Sequence, residues 1–216
     1  MSNLYEEIFL LTIHEDKGTI LSTAQLNLPY GLAGALLTEL ILRGKLQINP
    51  RHRVEVLDAN QTGDEFLDVT LREILAAEQL RKVGYWINKL SDDYKKISKR
   101  LVERLVKDGI VTQEDKRILW VIPCPGSPEP CGSAKYWLKT RLRKEALADQ
   151  EASLQDLALL SLVQSLDWFE LIFTQDERKL AARHLHGLLV NLAMNNPVAQ
   201  SIEEIGVAIS SVTEGD

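Results

Sequence analysis

The stretch YGLAGALLTELILRGKLQINPRHRVEVL, residues 30–57, joins two kinds of structure at one glycine. From about Tyr30 the segment YGLAGALLTELILRG is a long helical pattern. Gly44 stands at the helix's C-terminal cap, where the backbone must tolerate the left-handed region. KLQI (45–48) and RVEVL (53–57) flank Pro50 and read as the strands of a short hairpin. The same unit returns in LVERLVKDGIVTQEDKRILWVI, residues 101–122, as an amphipathic helix, a charged residue before Gly109, and a second hairpin built on IVT and RILWVI. The spacing of the two copies is too irregular for a solenoid.

Most of the remaining chain reads as helix. An apolar stretch at 4–12 precedes a turn signal in HEDKGT around Gly18. Residues 64–90 form one or two helices with a weak point at Gly84. SDDYKKISKRLVERLVKDG opens on Ser91 or Asp92 as N-cap and sets Ile97, Leu101 and Leu105 at i, i+4 and i+8. Further helices are expected at 135–148, 152–173, 175–195 and 198–212, with Asn195, Asn196 and Pro197 separating the last two. The expected class is mainly α, with short β-hairpins, in a single domain spanning 1–216.

At 216 residues and 45% hydrophobic content the chain can bury a real core. No apolar run reaches the length of a membrane span, since LALLSLVQSL (157–166) stops short and carries polar residues. The N-terminus MSNLYEEIFLL carries acids where a signal peptide carries basic residues, and two cysteines are too few for a disulfide scaffold. Both features predict a cytoplasmic protein. The net charge of −6 conceals an asymmetry. Residues 94–107 hold Lys95, Lys96, Lys99, Arg100, Arg104 and Lys107 against Glu103, and 135–145 hold Lys135, Lys139, Arg141, Arg143 and Lys144 against Glu145. The windows carry +5 and +4, which leaves −15 on the rest of the chain. Charge gathered in this way points to an anionic partner, although charge runs are also the ordinary solvated faces of helices.

Motif chemistry excludes more than it supports. Cys124 and Cys131 have no histidine or third cysteine near them, which leaves a tetrahedral zinc site short of ligands. His184 and His186 lie two apart on a helix, roughly 200° around its axis, and cannot share an ion. The glycines of YGLAGA lack the strand and the Gly-Lys-Thr element of a phosphate loop. No metal, no cofactor and no catalytic residues are expected, and the chain does not read as an enzyme. What remains is two helices that bury one face and show a cationic one. On the first, Lys96, Arg100, Glu103 and Lys107 form a stripe flanked by Lys95 and Lys99. On the second, Lys135, Lys139 and Arg143 repeat at i, i+4 and i+8 against Leu138, Leu142 and Ala146.

The segments LYEEIFLLTIHEDKGTI, GLAGALLTELILRGKLQI, RLVERLVKDGIVT and LALLSLVQSLDWFELIFTQDERKLAARHLHGLLVNL, in this order, resemble the Golgi phosphoprotein 3 family over nearly the whole chain. The resemblance implies a central helical bundle ringed by amphipathic helices, with hairpins on one surface. It implies a peripheral membrane adaptor whose eukaryotic members act at the Golgi, bind phosphatidylinositol 4-phosphate in a basic pocket beside a membrane-entering hairpin, and link glycosyltransferase tails to coatomer. Here that hairpin would be RILWVI, the tip PCPGSPEPCGS and the helix AKYWLKTRLRKEAL. Where the family's pocket has a tryptophan this chain has Ser22 or Thr23, where it has an arginine in Gly-Leu-Arg-Gly this chain has Ala33, and the family's two arginines three apart fall on Lys95 and Ser98. The arginine-rich N-terminal tail has no counterpart, which matches a compact, prokaryotic type of member.

The resulting expectation is reversible binding of anionic phospholipid or a phosphoinositide headgroup through Lys95, Lys99, Arg100, Lys135, Lys139 and Arg143, with Trp120, Val121, Ile122 and Pro123 as an adjacent apolar edge. A protein partner and a homo-oligomer are compatible with it. The rival readings are a nucleic-acid binder using the helix-and-hairpin units as winged elements, and a protein-protein adaptor without lipid binding. Overall acidity and the lack of an aromatic-basic reading surface stand against nucleic acid.

Overall fold

The computed structural model of the chain describes residues 3–14, 19–114, 117–120, 134–147 and 152–214, with 112–114 and 117–120 described by backbone alone. Helix α1 (Leu4–Leu11) precedes α2 (Leu28–Leu42), and the first hairpin pairs β1 (Leu46–Ile48) with β2 (Val54–Val56). Then come α3 (Glu65–Leu75), α4 (Val83–Ser91) and α5 (Tyr94–Lys107), followed by a second hairpin of β3 (Val111–Glu114) and β4 (Arg117–Trp120). Helices α6 (Ala134–Leu147), α7 (Leu154–Ser165), α8 (Gln175–Ala193) and α9 (Pro197–Thr213) complete the order, with a 3-10 turn at Phe169–Leu171 between α7 and α8. Both hairpins are antiparallel two-stranded sheets, in register Leu46 opposite Val56 and Val111 opposite Trp120.

Helix α2 sits at the centre, because LPYGLAGALLTELIL presents apolar or small residues on every side and buries almost all of them. It packs against α1, α3, α4, α7 and α9. Gly34 and Gly206 permit this density. A β-carbon on Gly34 would stand 2.5 Å from Ile209 Cδ1, and one on Gly206 would stand 2.7 Å from the Ser165 hydroxyl. Helices α3, α5, α6 and α8 bury one stripe each, as the amphipathic periodicity requires.

The repeated unit is present in both copies, down to its hydrogen bonds. Gly44 (φ 67°) and Gly109 (φ 70°) both take the left-handed conformation. In the first copy the Lys45 amide donates to Leu40 O at 2.9 Å, and in the second the Ile110 amide donates to Leu105 O at 2.9 Å. Each is the six-to-one closure that ends a helix at glycine and turns the chain into a strand.

Three boundaries differ from expectation. The break within 64–90 falls at 76–82 rather than at Gly84, which lies in the first turn of α4. Tertiary pairing moves it, because the Val54 amide donates to Arg81 O at 2.9 Å and Arg53 bridges Lys82, drawing that segment along β2. Helix α5 starts after Asp93, not after Ser91 or Asp92, since α4 runs on through Ser91. The helix expected over 152–173 ends at Ser165 with Leu166 as its cap, after which Asp167 adopts φ 57° and Trp168 turns inward, only 2% exposed.

Candidate functional site

Helix α5 turns Leu101 and Leu105 into the core and leaves Lys95, Lys96, Lys99 and Lys107 at the surface. Its arginines are engaged. Arg100 is ion-paired with Glu65 and lies over the Phe66 ring at 5.6 Å. Arg104 Nη1 donates to Asp64 Oδ2 at 2.6 Å and to the Tyr5 hydroxyl at 2.8 Å, and its Nε stands 3.2 Å from Glu6 Oε1. Asp64 is the centre of this cluster. One oxygen caps α3 by accepting from the Phe66 and Leu67 amides, and the other accepts from Tyr5, Arg104 and Asn3.

The two acids beside Arg104 respond to burial differently. Burial pushes the Asp64 carboxyl up, yet the Tyr5 hydroxyl, the guanidinium and the Leu67 amide overcome it and hold the group below its ordinary value. Burial dominates for Glu6 and leaves its carboxyl raised, despite the Asn3 amide and Arg104. Burial and the hydrogen bond to Asp64 push the Tyr5 hydroxyl far up, so it stays a donor.

Helix α6 departs from its expected face. The buried residues are Lys135, Leu138, Leu142 and Ala146, so Lys135 is not part of an outward cationic stripe. It is 2% exposed, and its ammonium donates to Ile13 O at the end of α1. The reason is helical geometry: Lys135 and Leu142 are seven apart, about two turns, and share a side. That spacing was readable in the sequence. Arg143 is ion-paired with Glu177, and Arg141 bridges Glu7 Oε2 and Asp156 Oδ1, both at 2.9 Å. Burial opposes the charge on Arg141, and Glu7 followed by Asp156 more than restores it. Lys139 is half-buried and Lys144 exposed.

The cations therefore divide by residue type. The arginines of both helices hold the fold together, clasping the adjacent α1 carboxylates Glu6 and Glu7 from two sides. The outward charge is carried by lysines. A shallow cleft of about 620 Å³ beside Arg100 and Arg104 is lined by Asp64, Glu65, Glu103 and Asp108 as well as by Lys107, so its walls are no phosphate trap. At the positions where the resemblance places pocket residues, Ser22, Thr23 and Lys95 are exposed, Ala33 is buried in α2, and the Ser98 hydroxyl donates to Tyr94 O.

Of the expected apolar edge, Trp120 ends β4, while Val121, Ile122 and Pro123 lie outside the described residues, as do Cys124 and Cys131. Sequence reasoning missed two features. Arg104 is the hub of the α1–α3–α5 cluster, and its partners lie 40 and 99 residues away. Tyr136 and Trp137 on α6 are 55% and 53% exposed and meet edge to face, with ring centroids 5.4 Å apart. The signal available for the second was two consecutive aromatics off the 135/138/142/146 face. Among the described residues no group of histidines, cysteines or acids could hold a metal ion, and no helix is long and apolar enough to cross a membrane.

These features define a mainly helical protein that braces two outer helices with arginine–carboxylate pairs and presents lysines outward from them. The family described as Golgi phosphoprotein 3 (GPP34) matches residues 4–206, and the chain belongs to it. Over 159 residues, 64% of this chain, it is 30% identical to vacuolar protein sorting-associated protein 74 of Eremothecium gossypii and 31% identical to the protein of that name in Schizosaccharomyces pombe. Those matches cover 47% and 46% of the two relatives, so the chain spans about half the length of the curated relatives it matches.

Proposed function

We propose that the protein is a non-enzymatic peripheral adaptor that associates reversibly with anionic phospholipid on the cytoplasmic side of a membrane, at the Golgi in a eukaryotic cell, and joins it to a protein partner. The observation that carries this reading is the division of cations, with Arg100, Arg104, Arg141 and Arg143 held by carboxylates and Lys95, Lys96, Lys99, Lys107 and Lys144 left outward. A lysine is a compact point charge without the planar fork that grips a phosphate through two bonds. Each lysine near an anionic surface contributes about 1 kcal/mol, screened over about 8–10 Å at physiological salt. Binding is then set by surface charge, and phosphatidylinositol 4-phosphate is one anionic lipid among others.

Co-flotation tests this with vesicles of phosphatidylcholine alone, with added phosphatidylserine, or with added phosphatidylinositol 4-phosphate, at low and physiological salt. The expected result is salt-sensitive binding to both anionic vesicles and none to the neutral one. The triple change of Lys95, Lys96 and Lys99 to glutamine should weaken binding by about 3 kcal/mol, or roughly a hundredfold. Equal flotation with neutral vesicles, or a triple variant that binds as wild type, overturns the reading.

A further inference from the structure

We propose that Tyr136 and Trp137 form an interfacial anchor that seats α6 in the headgroup layer of an anionic bilayer. The inference rests on the membrane reading above and names the residues that would touch the lipid. Aromatic residues this large are ordinarily turned inward, and the three aromatic residues between α7 and α8, together with Trp86, show the norm: Trp168 is 2% exposed, Phe173 2%, Phe169 9% and Trp86 1%. Tyr136 and Trp137 instead leave more than half of each residue in solvent.

Their position on the helix makes this an outward projection rather than an imperfectly buried edge. With about 100° per residue, Lys135, Leu138, Leu142 and Ala146 gather on one side, and the opposite side is occupied by Tyr136, Thr140, Lys144 and Trp137. Lys144 falls between the two rings in angle and stands about 12 Å further along the axis, a distance comparable with the screening length. Tyrosine and tryptophan pair an apolar body with a polar tip, which suits the boundary between headgroups and acyl chains. The residue types also argue for lipid over protein. Protein interfaces are enriched in arginine and depleted in lysine, whereas here Arg141 and Arg143 are held by Glu7, Asp156 and Glu177 and the outward cation on the same side of α6 as the rings is Lys144.

Tryptophan fluorescence reads this site almost in isolation. Trp86 and Trp168 are buried, so Trp120→Phe leaves Trp137 as the indole open to solvent. In the W120F protein, iodide should quench the emission in buffer. Adding phosphatidylcholine vesicles that carry phosphatidylserine should abolish that quenching, shift the emission to the blue, and allow quenching by brominated phospholipid. Because both rings already face solvent, Trp137→Ser and Tyr136→Ser should keep the far-UV circular dichroism of the parent, and each should weaken vesicle binding by about ten- to a hundredfold. If the protein floats with the vesicles while Trp137 stays open to iodide, or if W137S floats as well as the parent, the anchor is overturned, the lysine reading stands, and the rings belong to a protein interface. If the parent protein binds no anionic vesicle, both readings fall together.

Discussion

Replacing Asp64 with asparagine exchanges one oxygen for an NH2 group at nearly constant volume, and it tests what holds α5 in place. The capping oxygen survives: Oδ1 accepts from the Phe66 amide at 3.0 Å and the Leu67 amide at 3.1 Å, and asparagine caps a helix as well as aspartate does. The other oxygen does not. Oδ2 accepts from Arg104 Nη1 at 2.6 Å, the Tyr5 hydroxyl at 2.7 Å and Asn3 Nδ2 at 3.3 Å, and an NH2 there sets a donor against three donors. A hydrogen bond to a charged group is worth about 1.5–3 kcal/mol, and a buried donor left without an acceptor costs about 1–3 kcal/mol. Arg104 keeps Glu6 at 3.2 Å and has a side chain 30% exposed, so water recovers part of the loss. The expected net destabilisation is about 2–3 kcal/mol, which for a chain of this size lowers the Tm by roughly 4–12 °C. Urea unfolding followed by far-UV circular dichroism at neutral pH measures the free energy. Asp64→Ala should cost about 1 kcal/mol more, because the cap goes too. If Asp64→Asn unfolds within about 0.5 kcal/mol of wild type, the Oδ2 cluster is not what fastens α5 to α1 and α3, and the argument fails.

Glu6 should behave oppositely, since its carboxyl is raised by burial: the protein is favoured while the group is protonated, and that advantage is lost as pH rises through its folded value. Glu6→Gln should therefore lose least, or gain, at neutral pH. The depressed carboxyl of Asp64 contributes above the ordinary carboxylate range and loses its contribution as pH falls through its lowered value. Melting temperatures of the two variants and wild type across acid and neutral pH check this, and parallel shifts for both variants would contradict it. Gly109→Ala places a β-carbon in open space but at φ 70°, so backbone strain alone should cost about 1 kcal/mol, and Gly44→Ala, at φ 67° and equally open, should match it in the same thermal assay. Arg141→Gln removes the guanidinium that pairs with both Glu7 and Asp156, which are 2% and 7% exposed, and should destabilise by about 2 kcal/mol without changing vesicle binding.

Helix existence, both hairpins and both glycine stops were legible because each rests on rules that act over a few residues. A 3.6-residue period marks a buried stripe, a positive φ calls for glycine, and Asn196 before Pro197 caps α9 through the amides of Val198 and Ala199. The family was legible for a related reason, since the helix–glycine–hairpin unit is a run of consecutive residues. Lys135 is the instructive exception: a four-residue stripe read it outward, while its seven-residue relation to Leu142 turned it in.

The sequence by itself determined which segments are helices, where glycine ends them, and that positive charge gathers on two of them. Tertiary structure alone decided which of those charges remain outward. Arg100 finds Glu65 35 residues away, Arg104 finds Asp64 at 40, Arg141 finds Glu7 at 134 and Arg143 finds Glu177 at 34. No local rule relates such pairs, because an ion pair is set by where the packed helices bring the two side chains. Only the packing could separate the arginines that brace the fold from the lysines and aromatic rings that face outward.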